Sequence, residues 1–278
     1  NFSLGTMGGF PKYNEMLAQL DSMAVKFPLL ITSRQPIDTL TSIEGRPIYW
    51  LKISDNPDSN ESEPEVFYNA LAHAREPAGL SQLLFFMWYL LENYGIDAEV
   101  TYIVDNFELY FVPCVNPDGY IYNQTTNPSG GGQWRKNRRN NGDGTFGVDL
   151  NRNFGYLWGY DNFGSSPITV DNTYRGTAAF SEPETQILKI FCEAHQFRIA
   201  LNYHTYGNYL IYPWGYVSSY TPDSALYVNF AQLLTSENSY TYGTGAQTVG
   251  YNTNGDSDDW MYGEQSSKPK IMSMTPES

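Results

Sequence analysis

Two side chains that can bind a metal ion, His73 and Glu76, stand three positions apart in the sequence. They follow an apolar run over 66–72 that predicts a buried strand, and Pro77 directly after them indicates the first turn of a helix. A loop between a strand and a helix is where α/β sheets commonly place their functional groups. An imidazole and a carboxylate on such a loop can bind one zinc ion, and a catalytic zinc needs a third protein ligand.

The third ligand is sought among the two other histidines of the chain, His195 and His204. His204 ends an apolar strand pattern, as His73 does, so two strand ends could bring both imidazoles to one ion. His195 stands late in a predicted helix, where an ordinary helix-end histidine is the expected interpretation. A His-x-x-Glu spacing alone occurs by chance in many proteins, and an ordinary structural role for the pair is about equally supported on that spacing alone.

Arginines occur within a long region, 114–183, that shows little helix or strand periodicity. Loops of this length in a compact domain are usually functional. Asn151 and Arg152 could bind a carboxylate, since the guanidinium fork matches a carboxylate with two hydrogen bonds. Ordinary solvated charge explains the other basic residues of this region better than it explains Arg135 and Arg152.

Strands and helices that alternate along the chain must position these residues. The predicted strands cover 29–43, 47–54, 66–72, 107–113, 198–204, 208–212 and 270–275. The predicted helices cover 11–26, 77–94, 97–105, 184–196 and 223–238, with a short turn near Trp260, and 239–259 is predicted to be irregular. This alternation predicts one α/β domain over residues 1–278 with a mixed sheet.

The composition excludes some classes of function. The net charge of −14, with 16 Lys and Arg, argues against nucleic acid as a partner, because phosphate binding needs a basic surface. No apolar run is long enough to span a bilayer. Cys114 and Cys192 both stand in apolar surroundings, which predicts two buried free thiols, although one disulfide remains possible.

Several motifs, in one order along the chain, resemble those of the zinc metallocarboxypeptidases, the family of pancreatic carboxypeptidases A and B. They are His73-Ala-Arg-Glu76, Trp134-Arg135-Lys136, Val148-Asp149-Leu-Asn151-Arg152-Asn-Phe154, Asn202-Tyr-His204, Tyr212-Pro-Trp-Gly-Tyr216, Tyr251 before Asp259-Trp260, and Glu277 after a terminal strand. The resemblance covers essentially the whole sequence. It implies a single α/β domain whose mixed central sheet is flanked by helices on both faces.

The resemblance also implies a catalytic centre with one zinc ion per chain. His73, Glu76 and His204 would bind the zinc, and a water molecule would take the fourth position. Glu277 would act as general base and then as general acid, while Arg135 would stabilise the oxyanion. The other implied roles are binding of the substrate's C-terminal carboxylate by Asn151, Arg152 and Tyr251, a hydrogen bond from Asp149 to a zinc histidine, and an outer substrate groove along Arg75.

Substrate preference depends in this family on the residue two positions before the Asp-Trp tryptophan. Asp258 holds that position before Trp260, and an acid there would pair with a cationic side chain. The resemblance therefore predicts a carboxypeptidase B-like exopeptidase that acts on peptide or protein C-termini and prefers Lys or Arg. Asp256 is an additional acid whose effect on the pocket the sequence leaves open.

The chain departs from the family pattern near its end. The family's fold usually continues past the catalytic glutamate into a C-terminal helix, whereas this chain ends one residue after Glu277. The sequence is therefore either a truncated part of the family's domain or a domain without that helix, and a true end here would leave Glu277 on a fraying chain end. Pro276, the few cysteines and the lack of an inhibitory pro-domain suggest a bacterial secreted, periplasmic or extracellular relative, either a separate protein or one domain of a longer one. We expect a monomer.

Two other functions remain open. The first is an amidase of the same fold that acts on cell-wall peptides or side-chain amides. The second is a non-catalytic zinc-binding or adhesion module, against which the presence of both Glu277 and Arg135 argues.

Overall fold

An eight-stranded mixed β-sheet forms the centre of the computed structural model, which describes residues 1–278. The strands are β1 (Gln35–Pro36), β2 (Tyr49–Ile53), β3 (Glu65–Ala70), β4 (Glu108–Val112), β5 (Phe197–Tyr203), β6 (Tyr209–Ile211), β7 (Thr241–Gly243) and β8 (Met272–Glu277). Their spatial order is β1-β2-β4-β3-β5-β8-β6-β7. β3 is parallel to β4 and β5, and β5 is parallel to β8. The C-terminal ends of these parallel strands therefore meet at one edge of the sheet.

Helices cover both faces of this sheet, which confirms the predicted fold class. They are α1 (Tyr13–Lys26), α2 (Pro77–Asn93), α3 (Ala98–Asn106), α4 (Pro117–Thr126), α5 (Pro183–Ala194), α6 (Ser224–Leu234), α7 (Gly245–Thr248) and α8 (Ser257–Gly263), with a 3-10 turn at Leu150–Arg152. None of the helices is both long and apolar enough to cross a lipid bilayer.

Two large apolar clusters pack on opposite faces of β4. Leu109 and Phe111 belong to a cluster that α1 to α4 cover, while Tyr110 and Val112 belong to a cluster that α5 and α8 cover. Successive side chains of a strand point to opposite faces, so a strand that is buried throughout, as β4 is, needs cover on both. Burial of each large apolar side chain contributes about 1.5–3 kcal/mol to the free energy of unfolding. These two clusters therefore hold the central strands in place.

The prediction of a strand over 29–43 is wrong except at Gln35–Pro36. The segment follows the outer edge of β2 with isolated contacts, such as the hydrogen bond from Thr32 N to Lys52 O at 3.0 Å. Pro28 and Pro36 cannot donate hydrogen bonds, so a continuous ladder cannot form there.

Three other boundaries differ from the prediction. The region 114–183 contains α4, which sequence periodicity does not reveal because its buried face includes Asp118, Gly119 and Asn123. The segment 239–259 contains β7 and α7, and α6 ends at Leu234 rather than near 238. Both cysteines are buried free thiols, as predicted.

The chain end is ordered by strand pairing on both sides of β8. Glu277 pairs with Tyr209 of β6 and forms a bridge with His204, which follows β5. The backbone N–H of His204 donates to Pro276 O at 2.9 Å, and that of Ser278 donates to His204 O at 3.1 Å. The expectation that Glu277 lies on a fraying end is therefore wrong, because the two neighbouring segments hold its backbone.

Candidate metal centre and substrate pocket

His73, Glu76 and His204 come together at the C-terminal edge of the parallel strands, and all three are buried. The chain turns sharply after β3 through Leu71, whose φ is 57°. Glu76 then stands at the N-terminus of α2, and its backbone N–H donates to His73 O at 3.2 Å. The register that pairs Ala70 of β3 with Tyr203 of β5 places His204 beside this loop.

The donor atoms of these three residues fit a zinc ion. His73 Nδ1 lies 3.0 Å from Glu76 Oε1 and 2.9 Å from His204 Nδ1, and His204 Nδ1 lies 2.9 Å from Glu76 Oε2. Two imidazole nitrogens and one carboxylate that face one another form the donor set of a catalytic zinc site. Burial alone would raise the pKa of the Glu76 carboxyl, but the adjacent His73 and His204 hold it below its usual range.

Asp149 fixes the orientation of His73. Its Oδ1 lies 3.0 Å from His73 Nε2, and its Oδ2 accepts hydrogen bonds from Arg135 Nε and Nη2 at 3.0 and 2.8 Å. The contact places the imidazole proton on Nε2 and leaves Nδ1 free as a metal ligand. Burial acts to raise the pKa of the Asp149 carboxyl, but Arg135 and His73 hold it well below its usual range.

Glu277 faces the same cavity as His73 and Arg135. Burial raises the pKa of the Glu277 carboxyl to about 7, against the lowering effect of His204. A carboxyl with such a pKa can accept and release a proton near neutral pH. Arg135 Nη1 lies 3.7 Å from Glu76 Oε1, so this guanidinium also borders the metal-ligand cluster.

The cavity extends from these residues to a group that can hold a carboxylate. It includes Asn151, Arg152 and Tyr251 in its wall. Arg152 donates through Nε to Gly164 O at 2.9 Å and through Nη1 to Asn151 O at 2.6 Å. These bonds fix the guanidinium plane. Tyr251 lies at the mouth and is 56% exposed.

Asp258 also lines the cavity and is buried. Its carboxylate accepts hydrogen bonds from three neutral donors, which are Asn202 Nδ2 at 2.6 Å, Ser273 Oγ at 2.9 Å and Thr275 Oγ1 at 2.8 Å. Burial and the neighbouring Asp256 raise the pKa of Asp258 to about 6. The wall of the cavity therefore carries a buried acidic group that its hydrogen bonds hold in a fixed position.

Sequence reasoning did not identify the three donors that hold Asp258. Asn202 carried a signal, because a polar residue in an apolar strand pattern must find a buried partner. Ser273 and Thr275 stand two apart in β8 and so share one face of the strand. Arg75 does not line this cavity. It lies beside a neighbouring one, together with Tyr206.

Comparisons with known proteins agree with this geometry. The profile of a family described as zinc carboxypeptidase matches residues 16–278. Human carboxypeptidase B is 34% identical over 265 residues and human mast cell carboxypeptidase A is 31% identical over 268 residues. Each alignment covers 91% of this chain, which spans 60% of the length of either relative. The crystal structure of carboxypeptidase A from Helicoverpa armigera matches with a TM-score of 0.84 at 27% identity, over 98% of this chain and 65% of that chain. The chain belongs to the zinc carboxypeptidase family.

Proposed function

We propose that this protein is a zinc-dependent exopeptidase that hydrolyses the C-terminal peptide bond of peptides or proteins and prefers a C-terminal Lys or Arg. One observation carries the proposal. A single cavity is lined by Glu277 and His73, by Arg152, whose guanidinium could bind a carboxylate, and by the buried acid Asp258. The cavity thus offers a site for each part of a terminal residue and its peptide bond.

The metal-ligand cluster and Glu277 support the hydrolytic step. Zinc bound by His73, Glu76 and His204 would lower the pKa of a water molecule and polarise the scissile carbonyl. Glu277 would take a proton from the attacking water and later donate it to the leaving amine. Arg135 would stabilise negative charge on the carbonyl oxygen, since its guanidinium is held beside the cluster by Asp149.

Arg152 and Asn151 support cleavage at the last residue only. The main-chain carboxylate of a terminal residue would bind Arg152, and Tyr251 at the mouth would close over it. Asn151 is fixed for this role because its Oδ1 accepts a hydrogen bond from Ser257 N at 2.9 Å. An internal peptide segment has no free main-chain carboxylate for Arg152 to bind.

Asp258 favours a terminal residue with a cationic side chain. A buried carboxylate beneath an apolar side chain would stay unpaired, which costs several kcal/mol, whereas a Lys or Arg side chain would neutralise it. The preference for Lys or Arg thus follows from the burial of Asp258 and from the absence of charge on its three protein donors.

The test is release of terminal residues from matched peptides that end in Arg or Phe. We expect about one zinc per chain by elemental analysis, faster release of Arg, and loss of both activities with a chelator. In Asp258→Ile the preference for Arg over Phe should fall. Faster release of Phe by the native protein would contradict the basic preference. Zinc binding without turnover would contradict the exopeptidase, and a murein-peptide substrate panel would then identify an amidase.

Cellular location and oligomeric state remain predictions. We propose a secreted or periplasmic monomer. Fractionation of the native host and size-exclusion chromatography with light scattering test the two parts of this statement.

A further inference from the structure

A second carboxylate, that of Asp256, lines the cavity close to Asp258. Asp256 is 6% exposed and Asp258 is 8% exposed, and both border the cavity. Asp256 stands at the N-terminus of α8, where its Oδ1 accepts a hydrogen bond from Asp259 N at 2.8 Å. A helix N-cap explains one of its oxygens. It does not explain why a charged group borders the substrate cavity.

The hydrogen bonds of the two carboxylates leave different capacity for a ligand. A carboxylate offers about four acceptor positions. Asp258 accepts three hydrogen bonds from protein donors, so about one position remains. Asp256 accepts two, from Asp259 N and from Thr253 Oγ1 at 2.5 Å, so about two positions remain. Asp256 therefore has more room for the N–H groups of a bound cation than Asp258 has.

Gly215 packs directly against Asp256 at the wall of the cavity. A Cβ atom added to Gly215 would lie 2.5 Å from both Asp256 Oδ2 and Thr253 Oγ1, which is too close for any side chain. Gly215 itself borders the cavity, and its backbone N–H donates to Asp259 Oδ1 at 2.8 Å. Only a glycine at this position allows the backbone to lie this close to Asp256 and Thr253, and all three residues line the cavity.

We propose that Asp256 is a second specificity-determining residue, which binds the cationic side chain of the terminal residue together with Asp258 and makes the larger contribution to recognition of its charge. The inference rests on the proposed exopeptidase function. A guanidinium has five N–H donors in a planar fork and an ammonium has three, so either can bond to both carboxylates at once. Asp258 then offers about one free acceptor position to the cation, and Asp256 offers about two.

The experiment compares peptides that end in Arg or in citrulline, a neutral analogue of nearly the same shape. The ratio of the two kcat/KM values measures charge recognition alone. Asp256→Asn keeps a good N-cap residue, since Asn and Asp cap helices about equally. We expect this variant to lower the Arg-to-citrulline ratio at least tenfold, and more than Asp258→Asn does. Asp97→Asn, the same change at the N-cap of α3 outside the cavity, should leave the ratio unchanged.

Binding of free arginine and free citrulline to the zinc-loaded protein, measured by calorimetry, gives the same comparison without turnover. A native Arg-to-citrulline ratio near one would overturn the basic preference and this inference together. A high native ratio that Asp256→Asn leaves within twofold, while Asp258→Asn abolishes it, would overturn only the inference and reduce Asp256 to a helix cap. Unfolding of Asp256→Asn is detected by circular dichroism. In that case Asp256→Glu, which keeps the charge and should retain a high ratio, decides the question.

Discussion

Glu277 has a carboxyl pKa near neutral pH and a backbone that strand pairing holds in place. Burial raises the pKa of its carboxyl to about 7, while β6 and the end of β5 hold its main chain on both sides. Glu76 is also buried, but its neighbours His73 and His204 keep the pKa of its carboxyl below the usual range. Glu76, which stays ionised, therefore suits a metal ligand. Glu277, which can gain and lose a proton near neutral pH, suits a proton carrier.

Replacement of Glu277 by Gln tests this difference between the two glutamates. We expect kcat for release of terminal Arg to fall by about 10²–10⁴, because the amide cannot accept the proton of the attacking water. Zinc content should remain at the native value, since Glu277 is not one of the clustered metal ligands. The matched variant Glu76→Gln should lose zinc as well as activity. Native kcat in Glu277→Gln would remove Glu277 from the reaction.

The elements that carry the site were predictable to different degrees. β3 and β5 have clear apolar runs, so the sequence places His73 and His204 at strand ends. The register of β3 with β5 decides whether those ends meet, and it depends on contacts between residues far apart in the sequence. α4 escaped prediction because polar side chains, such as Asn123, form its buried contacts.

The hydrogen bonds of Asp258 show the same limit. Its position before Trp260 identifies it as a pocket residue by resemblance to the family. Its donors come from β5 and β8, and only the folded sheet brings these strands under α8. The candidate residues were thus accessible from the sequence, whereas their relative positions and charge states required the structure.

Helix α5 contributes a buried acid, Glu184, that connects through Asn137 with the segment beside Asp149. Glu184 accepts a hydrogen bond from Asn137 Nδ2 at 3.1 Å, and Asn137 Oδ1 accepts one from Val148 N at 2.8 Å, next to Asp149. Burial raises the pKa of the Glu184 carboxyl from 4.5 to about 7. The native state therefore binds a proton more tightly than the unfolded state does, which makes stability depend on pH.

The sign of this dependence gives a prediction for Glu184→Gln. The stabilising effect of protonated Glu184 is fully present below pH 4.5 and is lost as pH rises to about 7, a loss of about 3 kcal/mol. The variant should match the native protein near pH 4.5 and exceed it in unfolding free energy at pH 8, as denaturant titrations at several pH values would show. The control Glu193→Gln on the same helix should retain the native dependence. Parallel pH curves for native protein and Glu184→Gln would contradict the prediction.

The candidate metal site connects parts of the whole molecule that are far apart in the sequence. Its ligands follow β3 and β5, and the backbone of β8 pairs with the segment that carries His204. The two apolar clusters cover opposite faces of the same sheet. Without a cation, two imidazoles and the Glu76 carboxylate face one another at about 3 Å. Metal binding should therefore stabilise the complete domain and not only one loop.

Zinc removal tests this global effect. A ligand that binds only the native state at a thousandfold excess over its Kd adds about 4 kcal/mol, so Tm should fall by roughly 10 °C after chelation and recover with zinc. His204→Ala should show a low Tm that neither chelator nor zinc changes. The chain holds a second group of acids, Asp55, Glu61 and Glu63, whose donor atoms also lie close together. A native-sized zinc response in His204→Ala, abolished by Glu61→Gln, would assign the stabilising ion to that group instead of the cavity.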